Sequence, residues 1–283
     1  MNLLFSSILL FYYIASPVVE MREHPKKESE VVSQAYYSEE VNFLGEESDW
    51  LHIETKADNY KGWVQKGAIV ERETAFLADP SVVAAKVKRN MAHVYHVQDT
   101  IYGPILTLPF DSKLHVIEPL EESNSRWIKV ALVDGQEAFI QRGDVSFEHT
   151  LLNKEQMLSL SHQFMGLPYT WGGRSSFGYD CSGYVQMLLR QMGIALPRDT
   201  KDQIKWEGFV EVPIEDLLPG DLIYFGLAPD KIRHVGLYLG QDNFLHAGVA
   251  ENTPYIRVAQ LTNPDWNGSG RFVYRSARRL KQM

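Results

Sequence analysis

The sequence predicts an α+β chain in which two small all-β domains precede a domain that mixes helices with strands. Three observations carry this. Residues from about 16 to 147 hold short apolar runs broken by Gly, Pro, Asn and Asp, the pattern of strands and turns. That region repeats itself: Trp50-Leu51-His52-Ile53 matches Trp127-Ile128-Lys129-Val130, and Gly62-Trp63-Val64-Gln65-Lys66-Gly67-Ala68-Ile69 matches Ala138-Phe139-Ile140-Gln141-Arg142-Gly143-Asp144-Val145. Beyond it the spacing turns helical, with Val185, Leu188, Leu189 and Met192 on one face and a stop at Gly193 and Pro197.

Composition bounds the rest. A chain of 283 residues has room for two or three domains, and 45% hydrophobic with 23% charged residues is ordinary for a globular protein. A net charge of −8 argues against nucleic acid or an anionic membrane surface as the main partner. The one cysteine excludes an internal disulfide framework and any multi-cysteine zinc site.

In chain order, residues 1–15 form an apolar N-terminal segment, too short to span a membrane. Leu3 to Ala15 has the length of a signal-peptide core, which would place the protein in the periplasm or outside the cell. No Lys or Arg precedes it and Pro17 crowds a cleavage site, so a cytoplasmic protein is slightly favoured, with Tyr12 to Met21 read as a first strand. Residues 16–72 and 73–149 are the two repeat domains. Each carries a Trp, a two-faced strand, a polar turn and a second aromatic, and on these residues resembles the bacterial SH3-like barrel. The first copy is nearer, with Asp58-Asn59-Tyr60-Lys61-Gly62-Trp63 close to that family's Asp-Gly-Tyr-x-Gly-Trp; the second lacks the glycine and tryptophan. Trp50 and Trp127 are expected in the barrel cores. The join, Glu71 to Arg89, is no Gly/Ser linker, and Val82 to Val87 is read as a strand packing one barrel on the next.

The last domain, 150–283, opens with a capping box of Asn153 and Gln156 before a helix bearing Met157, Leu160 and Phe164. A loop with Tyr169, Trp171 and Gly172-Gly173 leads to Asp180 as N-cap and Cys181 in the first turn of the next helix. There the helix dipole favours thiolate. Downstream, His234 and His246 sit on strand-like runs, and a Cys with a distant His oriented by a third polar group is a nucleophile–base–orienter set. A three-residue loop, Gly240-Gln241-Asp242, would pair Gly236 with His246 and place both histidines on one face; a functional pair requires that odd register or a bulge. Asp221, in the turn Pro219-Gly220-Asp221, is read as structural. Cys181, His234 and His246 are ligand types for zinc, but no metal-ligand spacing supports a site, and no cofactor is expected.

Asp180-Cys181-Ser182-Gly183-Tyr184-Val185, Pro168-Tyr169-Thr170-Trp171-Gly172-Gly173, Leu218-Pro219-Gly220-Asp221-Leu222, His234-Val235-Gly236-Leu237-Tyr238 and His246-Ala247 together resemble the NlpC family of papain-like cysteine peptidases. The resemblance implies a cysteine-bearing helix packed on an antiparallel sheet, with Cys181 as nucleophile, His234 as base, His246 as orienter and the Tyr169 hydroxyl as an oxyanion donor. Two SH3-like domains before such a domain resemble γ-D-glutamyl-L-diamino-acid endopeptidases acting on peptidoglycan peptides with a free N-terminal L-Ala. That subgroup implies substrate-binding roles for Asp180, Ser182 and Asp199, with Trp171 in the loop and Tyr60 on a barrel as further contacts. The partners implied are peptidoglycan-derived peptides met by a monomer. An amidase or acyltransferase on the same fold, or a non-catalytic wall-binding protein, is the alternative.

Overall fold

The computed structural model describes residues 10–77, 82–118, 126–249, 253–263 and 273–281. The chain divides into two compact units, residues 1–149 and 150–283.

In the first unit, β1 (Phe11–Ile14), β2 (Val18–Arg22), β3 (Val31–Tyr36), β4 (Glu40–Glu47), β5 (Trp50–Thr55), β6 (Lys61–Gln65) and β7 (Ile69–Arg72) form one sheet in the order β3-β2-β6-β5-β4-β1-β7. Next come β8 (Val83–Val87), β9 (Met91–Tyr95), β10 (Leu106–Pro109), β11 (Lys113–Val116), β12 (Trp127–Ala131), β13 (Glu137–Gln141) and β14 (Val145–Ser146). Their order, β10-β9-β13-β12-β11-β8-β14, is the first pattern shifted by seven labels. The sequence repeat is thus a repeat of topology, down to the 3-10 turns Lys66–Ala68 and Arg142–Asp144.

The second copy reaches this fold without the first copy's glycine and tryptophan, for steric reasons. A Cβ at Gly62 would stand 2.9 Å from the Met21 Cβ, whereas Ala138 carries its Cβ fully buried in the second core. Trp63 is only half-buried and stacks on His52 at 4.7 Å, so Phe139 can take its place without opening a core.

Three expectations need revision. Val83–Val87 does not bridge the barrels; it is the second barrel's own first strand, paired with β11 and β14 and burying Ala85 and Val87. What joins the copies is a shared apolar cluster in which Tyr13, Tyr37 and Phe76 pack with Val94, Leu108, Ile128 and Ile140. The Tyr37 hydroxyl accepts the Val133 N–H at 2.9 Å there. Trp50 is buried, but Trp127 is half-buried, edge-on to Tyr95 at 5.2 Å with the Arg126 guanidinium 5.4 Å from its ring. Ile128 and Val130 take the inward positions of β12, and the side-chain period of two turns Trp127 outward. Of residues 12–21, Phe11–Ile14 and Val18–Arg22 form two strands rather than one, with a turn at Ser16-Pro17. The remainder of the N-terminal segment, residues 1–9, lies outside the described residues. Among the described residues no helix is long and apolar enough to cross a membrane.

In the second unit α1 (Lys154–Ser161) starts from the expected capping box, with both reciprocal bonds at 2.9 Å. The hairpin β15 (Arg174–Ser175) and β16 (Gly178–Tyr179) leads into α2 (Cys181–Gln191), which ends before Gly193 at φ +81°, and the short α3 (Thr200–Gln203) follows. The sheet comprises β17 (Phe209–Val212), β18 (Leu222–Ala228), β19 (Lys231–Gly240), β20 (Asn243–Ala247), β21 (Ile256–Gln260) and β22 (Val273–Leu280), in the order β17-β22-β18-β19-β20-β21. Neighbouring strands pair antiparallel, and α2 packs on β19 and β20. Asp221 is structural as expected: it accepts the Leu218 N–H at 2.8 Å and grips Arg279 through both oxygens, tying β22 to the turn before β18.

Candidate active site

The site starts at the head of α2. Asp180, in extended conformation, accepts the Gly183 N–H at 2.7 Å and so caps the helix, leaving Cys181 as its first residue. The preceding loop lies directly on that first turn. A Cβ on Gly183 would come within 2.1 Å of the Gly173 carbonyl oxygen, so only glycine permits the approach.

Cys181 is buried, and its thiol lies against the backbone of β19: it reaches the Arg233 carbonyl at 4.0 Å and receives the Val235 N–H. These two groups flank His234. His234 and His246 are themselves buried, with their rings nearly perpendicular and His234 Nε2 3.1 Å from His246 Nδ1. That bond leaves His234 Nδ1 as the nitrogen for the thiol. For Nδ1 to accept a proton, Nε2 must carry one and donate it to His246 Nδ1, a tautomer assigned from this network.

The histidines share a face through a bulge, not a three-residue loop. Leu237 pairs with Leu245 and Tyr238 with Phe244, but Gly240 pairs with Asn243, so Leu239 is the extra residue. The loop is Gln241-Asp242, both at positive φ, and Gly240 belongs to the strand. This register still brings Gly236 beside His246, where an added Cβ would lie 3.4 Å from the His246 Cβ and 2.7 Å from the Phe244 ring. Gly248, which the sequence reading did not single out, leaves room for the imidazole: a Cβ there would be 2.3 Å from His246 Cε1.

Burial sets the resting protonation. It pushes the Cys181 thiol up to about 12, and the Asp180 carboxylate adds to the shift against the Val235 and Ser182 N–H groups and Arg198. Burial also lowers His234 to about 3, and the Arg257 charge works in the same direction. His246 is lowered by burial, by His234 and by Arg257. These directions run against the thiolate expected from the helix dipole: burial favours the neutral thiol and the neutral imidazole. A proton passed from Cys181 to His234 changes no net charge, whereas either group ionising alone would bury an unmatched one.

Asp180 and Ser182, expected to meet a substrate amine, are engaged inside the protein. Arg198 is buried and donates to both Asp180 oxygens, at 3.1 Å to Oδ1, and to Ser182 Oγ at 2.8 Å. Ser182 in turn donates to Asp180 Oδ1 at 3.1 Å. The Asp180 charge is thus met by Arg198, and its burial requires no substrate ammonium. Asp199 stands at the N-cap position of α3, partly solvent-accessible and 3.4 Å from Lys201.

Tyr169 is half-buried; its N–H bonds the Pro254 carbonyl at 2.8 Å, and it bridges to Tyr179. Burial, then the charges of Cys181 and Asp180, hold its hydroxyl above the ordinary range, so it is a neutral O–H donor beside the thiol. Trp171 is exposed on the same loop. Tyr60 belongs to the first barrel, half-buried against the cluster of Met21, Ile53 and Val64. Among the described residues no group of three or more His, Cys, Asp or Glu is arranged to hold a metal ion.

Comparison with known proteins agrees with this architecture. Residues 166–271 match the model of the NlpC/P60 family, and residues 17–70 that of the bacterial SH3 domain. A γ-D-glutamyl-L-lysine dipeptidyl-peptidase of Bacillus cereus is 26% identical over 250 residues, covering 83% of this chain and 72% of that protein. A probable endopeptidase of Haemophilus influenzae is 35% identical over 130 residues, 45% of this chain and 74% of that one. The crystal structure of an NlpC/P60 family protein from Bacillus cereus superposes with a TM-score of 0.80 at 21% identity, over 95% of this chain and 99% of that one.

Proposed function

The chain belongs to the NlpC/P60 family, and from that premise we propose that it is a cysteine endopeptidase cutting the γ-D-glutamyl-L-diamino-acid bond of peptidoglycan stem peptides with a free N-terminal L-Ala. The observation that carries the chemistry is the thiol of Cys181 lodged on β19 on both sides of His234, whose far nitrogen is bonded to buried His246. Support for the substrate comes from the γ-D-glutamyl-L-lysine dipeptidyl-peptidase, which matches this chain through its barrels as well as its catalytic unit.

In the first half-reaction the Cys181 sulfur attacks the γ-carbonyl carbon while His234 Nδ1 takes the thiol proton. The carbonyl electron pair moves to oxygen, which is met by the Cys181 backbone N–H and the Tyr169 hydroxyl. Collapse breaks the C–N bond, and His234 returns its proton to the departing amine, leaving a thioester. Water then attacks this thioester, giving one proton to His234. The C–S bond breaks and the proton goes back to sulfur. His246 holds Nε2–H of His234 throughout and so fixes which nitrogen does the work.

Asp199, adjacent to Arg198 and accessible to solvent, is the carboxylate suited to a substrate ammonium, in place of Asp180. A requirement for a free amine directs the enzyme to peptides already released from the sugar chain, in recycling or late degradation. Digestion of L-Ala-γ-D-Glu-L-Lys and its diaminopimelate counterpart, read by mass spectrometry, tests the proposal. The expected products are L-Ala-γ-D-Glu and the free diamino acid; cleavage at another bond, or of neither peptide, would refute it.

A further inference from the structure

The surroundings of β19 change at His234. Alternate residues of a strand share a face, and Val235 and Leu237 are buried on the face where α2 packs. The other face holds Ile223, Phe225, Tyr238 and Phe244 in a cluster of their own. Cys181, the first residue of α2, has its thiol against the Arg233 carbonyl and the Val235 N–H, so the helix covers β19 from Val235 onward. Arg233 and Lys231 continue the same face past the head of the helix, and both are exposed. Between them and beside them, Ile232 and His234 turn to the other face and are buried.

The strand end that carries Arg233 is held in place. Gly226 pairs with Ile232, and a Cβ on it would stand 2.2 Å from the Lys231 carbonyl oxygen, so only glycine lets β18 and β19 close here. Arg275 fixes the same bulge by donating to the Gly226 and Leu227 carbonyls, at 2.9 and 2.6 Å. That arginine is engaged within the fold. Arg233 is different: among the described residues its side chain has no hydrogen bond and no ion pair. Burial and the Arg257 charge set the protonation of His234. The Arg233 guanidinium thus stands off the reacting atoms, although its own carbonyl lies 4.0 Å from the thiol.

In the proposed reaction the departing amine must lie at His234 to receive its proton. The residue bearing that amine therefore lies along β19, and its own carboxyl group follows the amine by one carbon. When the peptide ends at the diamino acid, that group is a carboxylate. In a peptide that continues, or is amidated, it is neutral. We propose that Arg233 is a specificity-determining residue that binds the free C-terminal carboxylate of the leaving diamino acid. The inference rests on the proposed γ-D-glutamyl peptidase activity and deepens it: the enzyme favours stem peptides already trimmed to three residues. A guanidinium meets a carboxylate in a charge-assisted fork that a carboxamide cannot reproduce.

The test compares kcat/KM for L-Ala-γ-D-Glu-L-Lys with that for the same tripeptide carrying a C-terminal carboxamide. The wild type should prefer the carboxylate on the order of 10-fold, the lower range of a charge-assisted hydrogen bond because the arginine is exposed. In R233Q that preference should collapse towards unity, and in R233E the amide should become the better substrate. Thermal melts of both variants should match the wild type, since an exposed side chain without partners is replaced. A preference unchanged in both variants, or absent in the wild type, would overturn the role of Arg233 while leaving the peptidase activity standing. Cleavage of neither peptide by the wild type would overturn the activity itself and this inference with it.

Discussion

Replacing Arg198 by Met should unfold the catalytic unit at markedly lower temperature, and the reason is electrostatic. Arg198 and Asp180 form a buried bidentate pair, with side chains 2% and 10% exposed. Removing one partner leaves a carboxylate without its counter-charge in a dry site, which costs about 3–5 kcal/mol. For a domain of this size each kcal/mol is worth roughly 3 °C, so the melting temperature of R198M should fall on the order of 10–15 °C. The double variant D180N/R198M should recover most of that loss. Asn keeps the side-chain oxygen that caps Gly183, and neither charge then remains buried. R198M also leaves the Asp180 carboxylate uncompensated beside Cys181, pushing the thiol further up and slowing its alkylation at any given pH. Thermal melts of the three proteins and their iodoacetamide rates read both effects. A melting temperature for R198M within about 3 °C of wild type, or a double variant no more stable than the single, would refute the reasoning.

Three further outcomes follow from the site. Cys181→Ala should abolish turnover and shift the melting temperature by only a few degrees, since the loss is one sulfur at a helix start; retained turnover would exclude the nucleophile. His234→Ala should be as damaging as loss of the thiol, whereas His246→Ala should leave partial activity, because losing orientation costs less than losing the base; equal kinetic losses in the two histidine variants would place His246 in the proton transfer itself. In the free enzyme the thiol is pushed up to about 12, so it is protonated at neutral pH and its alkylation should climb steadily from pH 7 to 10. A rate already level below about pH 6 would mean a standing thiolate–imidazolium pair and would contradict the neutral resting state.

Local signals were legible in the sequence. The Asn153–Gln156 capping box, the Asp180 cap and the stop at Gly193 are each decided within a few residues, and each stands where the pattern puts it. The barrel repeat was readable too, because a Trp at the head of β5 or β12 and the turn before β7 or β14 recur at nearly the same spacing. What the sequence could not show depends on partners far along the chain. Asp180 and Ser182 have the same residue types whether they read a ligand or hold Arg198, and only the tertiary path of residues 196–199 decides. The Arg257–His246 pairing and the fit of Gly248 under the His246 ring likewise require the strand register, which turns on one bulged residue, Leu239.

Burial weighs against the thiolate that the helix position of Cys181 suggests, for a reason of magnitude. A helix N-terminus contributes roughly 0.3–1 kcal/mol to an anion and about 2 in the best partly buried cases, which is one pKa unit or slightly more. Full burial moves an ionisable group by up to about 3–5 units. Sequence reveals the helix end but not the burial, so it weighs the smaller effect alone and arrives at thiolate. With the larger effect included, burial favours the neutral forms of Cys181 and His234. The buried network then has a definite task. Arg198 offsets the Asp180 charge next to the sulfur, and burial opposes both the thiolate and the imidazolium.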